Sequence, residues 1–158
     1  MSAMAEERGM SLLELTKEAE KSRAIDHELD RRQQQLAKQK QNMVVDGRLS
    51  FHFIPRSLKV FLTVDPSIGA ARVFGAKRRD EKENTSIEAT KKNIAKRLAS
   101  EKKRYKKYYG IDCYDETHYD IVIDTTEKTG MEVVNEVVGR IKKGGIRTTG
   151  GAKNPSGV

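Results

Sequence analysis

A chain of 158 residues has room for one compact domain and not for two ordinary ones. Leu, Ile, Val and Phe number 34 in all, close to the least that so charged a chain needs to hold a core. No apolar run approaches the ~20 residues that span a bilayer, and one cysteine, Cys113, with three scattered histidines excludes both an internal disulfide and a zinc module. Met1–Glu6 lacks the charged start and apolar stretch of a secretory signal, so a cytoplasmic protein is expected.

Ser11 followed three residues later by Glu14 is a capping box, and Leu12, Leu15 and Ala19 then recur at helical spacing, which predicts a helix over 11–22. Asp26 is a suitable N-cap for a second helix over 26–40. Leu29, Leu36 and Ala37 mark its buried side, and Asp30, Arg31, Arg32 and Gln33 to Gln35 its wet side. The period then changes. Met43–Val45 closes at Asp46-Gly47-Arg48, Val60–Val64 at Asp65-Pro66, and Ile121–Ile123 at Asp124-Thr125-Thr126; each reads as a short buried strand. A last helix carries Val133, Val134, Val137, Val138 and Ile141 on one face. Strands separated by helices, with polar residues at their C-terminal ends, describe a parallel α/β sheet whose ligands bind at those ends.

The formal charge of +8 has one address. Between Lys77 and Lys107 stand 13 basic residues against five acids, while the rest of the chain holds 18 of each sign. A basic helix can grip a polynucleotide, clamp the phosphates of a small nucleotide or present a solvated face, and charge alone leaves all three open. Spacing adds one fact. Ile87, Ile94, Leu98 and Tyr105 share a stripe, and Arg97 and Arg104, seven apart, border it, where paired arginines suit bidentate phosphate contacts or pairing with local acids such as Glu101. The histidines lack metal spacing and Cys113 lacks a recognisable base, so neither is read as a site.

Four strings occur in one order: Ile25-Asp26 through Leu29-Asp30-Arg31-Arg32-Gln33, then Val44-Val45-Asp46-Gly47-Arg48-Leu49, then Ser100 to Asp112 with its Arg-Tyr-Lys-Lys-Tyr-Tyr-Gly-Ile-Asp run, then Tyr119-Asp120-Ile121-Val122-Ile123-Asp124-Thr125. In that order they resemble the archaeal-type cytidylate kinases from about Ala5 to Lys143. The resemblance implies a P-loop nucleoside monophosphate kinase fold, a parallel sheet flanked by helices. It also implies transfer of the γ-phosphoryl group of ATP to CMP or dCMP with Mg2+, a reaction that rests on positioning and positive charge. By the same resemblance, residues 5–42 are the monophosphate-binding helices and 73–110 the lid and basic helices of one domain over 1–143. Arg48 would hold the CMP phosphate, Asp30 would touch base or ribose, Asp46 would face the magnesium-triphosphate site, and Arg72 would lie on the ATP side. Arg97 and Arg104 would close on the phosphoryl group in flight. With CMP and ATP as partners, the resemblance points away from polynucleotide binding.

The family also opens with a strand, a glycine-rich loop carrying Lys and Ser/Thr, and a helix, and none of these occurs in the 158 residues. Gly145-Ile146-Arg147-Thr148-Thr149-Gly150 has the first spacing of that loop, but Gly151 stands where Lys is needed. Residues 144–158 are therefore expected to be a glycine-rich disordered tail. The sheet is expected to lack its first strand and P-loop helix, and the chain alone to be impaired in turnover, with a complementing N-terminal fragment as a further partner.

Overall fold

The computed structural model describes residues 1–39, 43–76 and 81–143. Its elements run α1 (Ser2–Glu7), α2 (Leu12–Lys21), α3 (Ala24–Lys38), α4 (Ser50–Phe53), β1 (Val60–Thr63), α5 (Pro66–Gly75), α6 (Ile87–Tyr109), a 3-10 turn (Glu116–His118), β2 (Ile121–Asp124) and α7 (Gly130–Lys143). The expected tail at 144–158, and Lys77 and Arg78, lie outside the described residues. No helix among those described is long and apolar enough to cross a membrane.

Local chemistry sets most of the boundaries. The Ser11 hydroxyl accepts from the Glu14 N–H at 3.2 Å while the Glu14 carboxylate accepts from the Ser11 N–H at 2.7 Å, so two of the orphan donors of α2 are satisfied reciprocally. Asp65 caps α5 by accepting from Ser67 and Ile68, with Pro66 in the first turn where its missing N–H costs nothing. Ser86 caps α6, and Gly110, at φ 71°, ends it in the left-handed conformation that a side chain resists.

β1 and β2 pair in parallel, Val60 opposite Ile121 through Thr63 opposite Asp124. Parallel neighbours need a long crossover, and α5 and α6 supply it. The Asp120 carboxylate accepts from the Lys59 N–H at 2.8 Å at one end of the pair, and Thr125 donates to the Thr63 carbonyl at the other. Two apolar clusters join the helices. Met4, Ala5, Leu15, Ala19 and Ile25 join α1, α2 and α3. Leu49, Tyr105 and Cys113, with Phe51, Phe53 and Tyr109 against them, join α4, α6 and the segment after α6.

Three expectations are corrected. Met43–Val45 forms no strand: no described strand runs beside it to share its backbone hydrogen bonds, and Val44 is fully exposed. Asp26 is not an N-cap; α3 starts at Ala24 and turns Asp26 and Asp30 into the protein, so Asp30 leaves the wet side on which spacing put it. The valine face of α7 is covered only in part: it packs on β2, with Val133, Val137 and Ile141 half-buried while Val134 and Val138 stay exposed.

These contrasts fix one expected outcome. Leu15→Ala, in the fully buried cluster, should cost ~2–5 kcal/mol in urea unfolding, whereas Val134→Ala should cost less than ~0.5 kcal/mol. Equal losses at the two positions would contradict the packing described.

Candidate active site

Three arginines and three carboxylates, each pair drawn from distant parts of the chain, define the polar interior between α3, α6 and the segment leading into α4. Arg104 comes from the inner face of α6 and is 3% exposed. Its Nε donates to Asp26 Oδ2 at 3.0 Å and its Nη1 to the Ser100 hydroxyl at 2.5 Å. The pair is not closed as a two-pronged fork. Arg104 Nη2 and Asp26 Oδ1 are both buried without a hydrogen-bond partner, and each such atom costs ~1–3 kcal/mol, so an uncompensated pair of them marks a place built for something else.

One turn earlier on the same helix, Glu101 is buried and accepts at Oε2 from Arg48 Nε at 3.0 Å and from the Tyr114 hydroxyl at 2.5 Å. Arg48 itself remains partly exposed and lies over the Tyr114 ring at 5.8 Å. Arg97, a further turn back, meets Glu81 at 3.5 Å, and Asn84 ties that carboxylate into the 81–85 loop with a bond of 2.5 Å. The hydroxyl of Ser11 contacts Glu83, so the same loop also touches the start of α2.

Burial sets the titration of this region. Removal from water raises the Asp26 carboxyl above the usual aspartate range against the opposing pull of Arg104. Burial likewise raises Asp30, although the Tyr109 hydroxyl donates to it and works the other way. Cys113 is buried and its thiol is pushed up to about 11 by desolvation, which leaves it unreactive at neutral pH.

The other expected residues are placed differently. Arg72 Nη2 donates to the carbonyl oxygens of Thr125, Thr126 and Lys128 at 2.9, 3.0 and 3.1 Å, so it clamps the turn after β2. Asp46 is an exposed carboxylate on the irregular segment before α4, and its charge acts on the Met1 amine. Neither of them makes a cradle for a triphosphate, the 158 residues carry no G-x-x-x-x-G-K-[ST] run, and no group of three metal-ligating side chains occurs among the described residues. Among the described residues the donor set does not fit the magnesium-triphosphate half of a kinase site. Asp26, Glu101, Tyr109 and Tyr114 carried no functional signal in the sequence. The one clue was Glu101 lying between Arg97 and Arg104 on a face otherwise apolar or basic.

A parallel α/β core with inward arginines held by carboxylates at one side of the sheet is the arrangement of a nucleoside monophosphate kinase-type protein. The cytidylate kinase-like family model matches residues 1–127, and the chain belongs to that family. It is 38% identical over 123 residues to a cytidylate kinase of Methanobrevibacter smithii, covering 78% of this chain and 68% of that protein. With the cytidylate kinase of Methanocaldococcus jannaschii it shares 39% identity over 144 residues, covering 89% and 79%. Identity with that of Pyrococcus abyssi is 43% over 125 residues, covering 78% and 65%. No solved structure matches the chain.

The raised Asp30 carboxyl gives a signed expectation. The native state keeps this proton where the unfolded chain, near 3.8, has lost it, so Asp30 withdraws stability as pH rises from that value through its folded one. In thermal melts, the difference in Tm between Asp30→Asn and the parent should grow in the variant's favour from about pH 4 upward and then level. A difference that shrinks with pH would contradict the burial assigned to Asp30.

Proposed function

We propose that this chain supplies the monophosphate-binding and lid half of a cytidylate kinase, which moves the γ-phosphoryl group of ATP to CMP or dCMP to give CDP or dCDP. The observation that carries the reading is the unsatisfied pair in the buried interior between α3 and α6. Arg104 Nη2 is a donor and Asp26 Oδ1 an acceptor, both buried on residues already joined through Arg104 Nε and Asp26 Oδ2. A phosphate presents only acceptors and would be repelled by the aspartate, whereas the edge of an aminopyrimidine presents an N–H donor beside a ring acceptor. Asp30, held by Tyr109 on the same face of α3, lies one helical turn from Asp26 and is placed for the base or the ribose.

Arg48 and Arg97 then face the phosphates. Each is held by one carboxylate, and a phosphate that takes the place of Glu101 or Glu81 gains a charge-assisted contact without requiring the arginine to be ordered anew. In the catalytic cycle Arg97 follows the phosphoryl group and Arg104, from the same helix, anchors the acceptor nucleotide, so closure of one helix would align both.

The cradle for ATP comes, in this reading, from a strand–loop–helix segment outside the 158 residues. The support is twofold. β1 carries exposed Leu62 and pairs on one edge only among the described residues, and residues 43–47, with Val44 exposed, belong to neither helix nor strand, so both offer backbone to a further strand. Exposed Val134 and Val138 on α7 offer apolar surface for more of such a segment. The chain alone is then a CMP-binding half with impaired turnover.

A melt with and without CMP tests the nucleotide half. CMP at 100 times its Kd should stabilise the chain by ~2.7 kcal/mol, and UMP, whose base edge reverses the donor and acceptor, should stabilise it less. An unmoved midpoint, or one moved equally by UMP, would refute the assignment of Asp26 and Arg104 to the pyrimidine.

A further inference from the structure

The fold divides the basic residues of α6 between two faces. Arg97 and Arg104 turn inward to Glu81 and Asp26. On the opposite side, Lys92, Lys96, Lys103, Lys106 and Lys107 are exposed within a strip about 100° wide, interrupted only by Ala99. From Lys92 to Lys107 the strip is about 22 Å long.

This strip is not an ordinary solvated helix face. Such faces set Glu four residues from Lys; here Lys92 alone has one, the exposed Glu88 at the helix start, while Glu101, the other acid of α6, is on the buried side. Lys92 with Lys96, and Lys103 with Lys107, are instead like charges one turn apart, an arrangement that weakens a helix. Lys92, Lys96 and Lys103 make no ion pair among the described residues, and Lys107 lies over the Tyr108 ring at 5.6 Å. Lys106 donates to the Gly110 carbonyl at 3.4 Å, and no carboxylate among the described residues forms an ion pair with any of the five lysines.

We propose that the outer face of α6 docks the phosphate backbone of a single-stranded polynucleotide, separately from the nucleotide cleft on its inner face. A row of point charges repeating each helical turn along a ridge suits a flexible, regularly charged strand read without regard to sequence. An anionic membrane fits less well: an interfacial helix needs an apolar face beside its basic one, and the apolar face of α6 is occupied by α2 and α5. The strip lies outside the cleft, so its binding is independent of the cytidylate reading.

The test uses the full chain and a labelled 20-residue oligo(U), with binding read by fluorescence anisotropy across a salt series. Four lysines engaged on phosphates predict a slope of log K on log salt of about −3. The variant Lys92→Gln/Lys96→Gln/Lys103→Gln/Lys107→Gln should bind at least ~10-fold more weakly with a slope nearer zero. Its stabilisation by CMP should be unchanged, which separates this proposal from the reading of the cleft. Oligo(U) affinity equal in parent and variant would overturn the proposal, as would displacement of oligo(U) by CMP at concentrations that fill the cleft, or tighter binding to phosphatidylserine vesicles or polyglutamate than to oligo(U).

Discussion

Burying a guanidinium costs several kcal/mol unless a carboxylate is brought in with it, and the Arg104–Asp26 pair is where this protein meets that cost. The two residues stand 78 positions apart, and their bond joins the last third of α6 to the start of α3. Once it is made, Glu101 on the preceding turn of α6 is in reach of Arg48, and Tyr109 five residues on is in reach of Asp30. The segment that runs from Arg48 into α4 is thereby fastened to α6 by a charge pair as well as by Leu49 against Tyr105. The site is an arrangement of carboxylates that hold arginines in place until phosphate or base arrives.

The same arrangement explains how a small core supports so basic a chain. Apolar contacts gather into two small clusters among the helices. The polar groups of α3 and α6 do the joining that a larger core would do. Polar pairing of this kind adds little net stability over an apolar replacement, but it penalises any other docking of α6, which would strand Asp26 or Glu101 as an unpaired buried charge. Register of the long helix is the property it secures, and the two-sided use of that helix follows: arginines inward on acids, lysines outward toward solvent.

How much of this could be read in advance depended on how local the cause was. The capping box at Ser11 and Glu14, the ends of α6, and the β1 and β2 strands follow from residues a few positions apart, and the family was legible from four ordered strings. Met43–Val45 failed as a strand because a strand is a relation between neighbours, and apolar β-branched residues alone do not supply the neighbour. Asp26 was taken for a cap because aspartate before a helical run usually is one; only the distant Arg104 makes burial of that carboxylate tolerable. Asp30 moved from surface to interior for the same reason, through Tyr109. The pairs Arg48–Glu101 and Arg97–Glu81 have no signature in spacing, so the residues expected to bind phosphate were identifiable while the residues that hold them were not.

The central claim is that Asp26 and Arg104 act as one unit, and a double-mutant cycle measures that directly. Unfolding free energies are needed for the parent, Asp26→Asn, Arg104→Gln and the double variant. The account predicts that each single change costs ~3–5 kcal/mol by leaving its partner charged and alone, and that the double variant costs at least ~1.5 kcal/mol less than the two added together. Single costs that simply add, to within ~0.5 kcal/mol, would mean that the pair is incidental and that the rest of the structure does not depend on it.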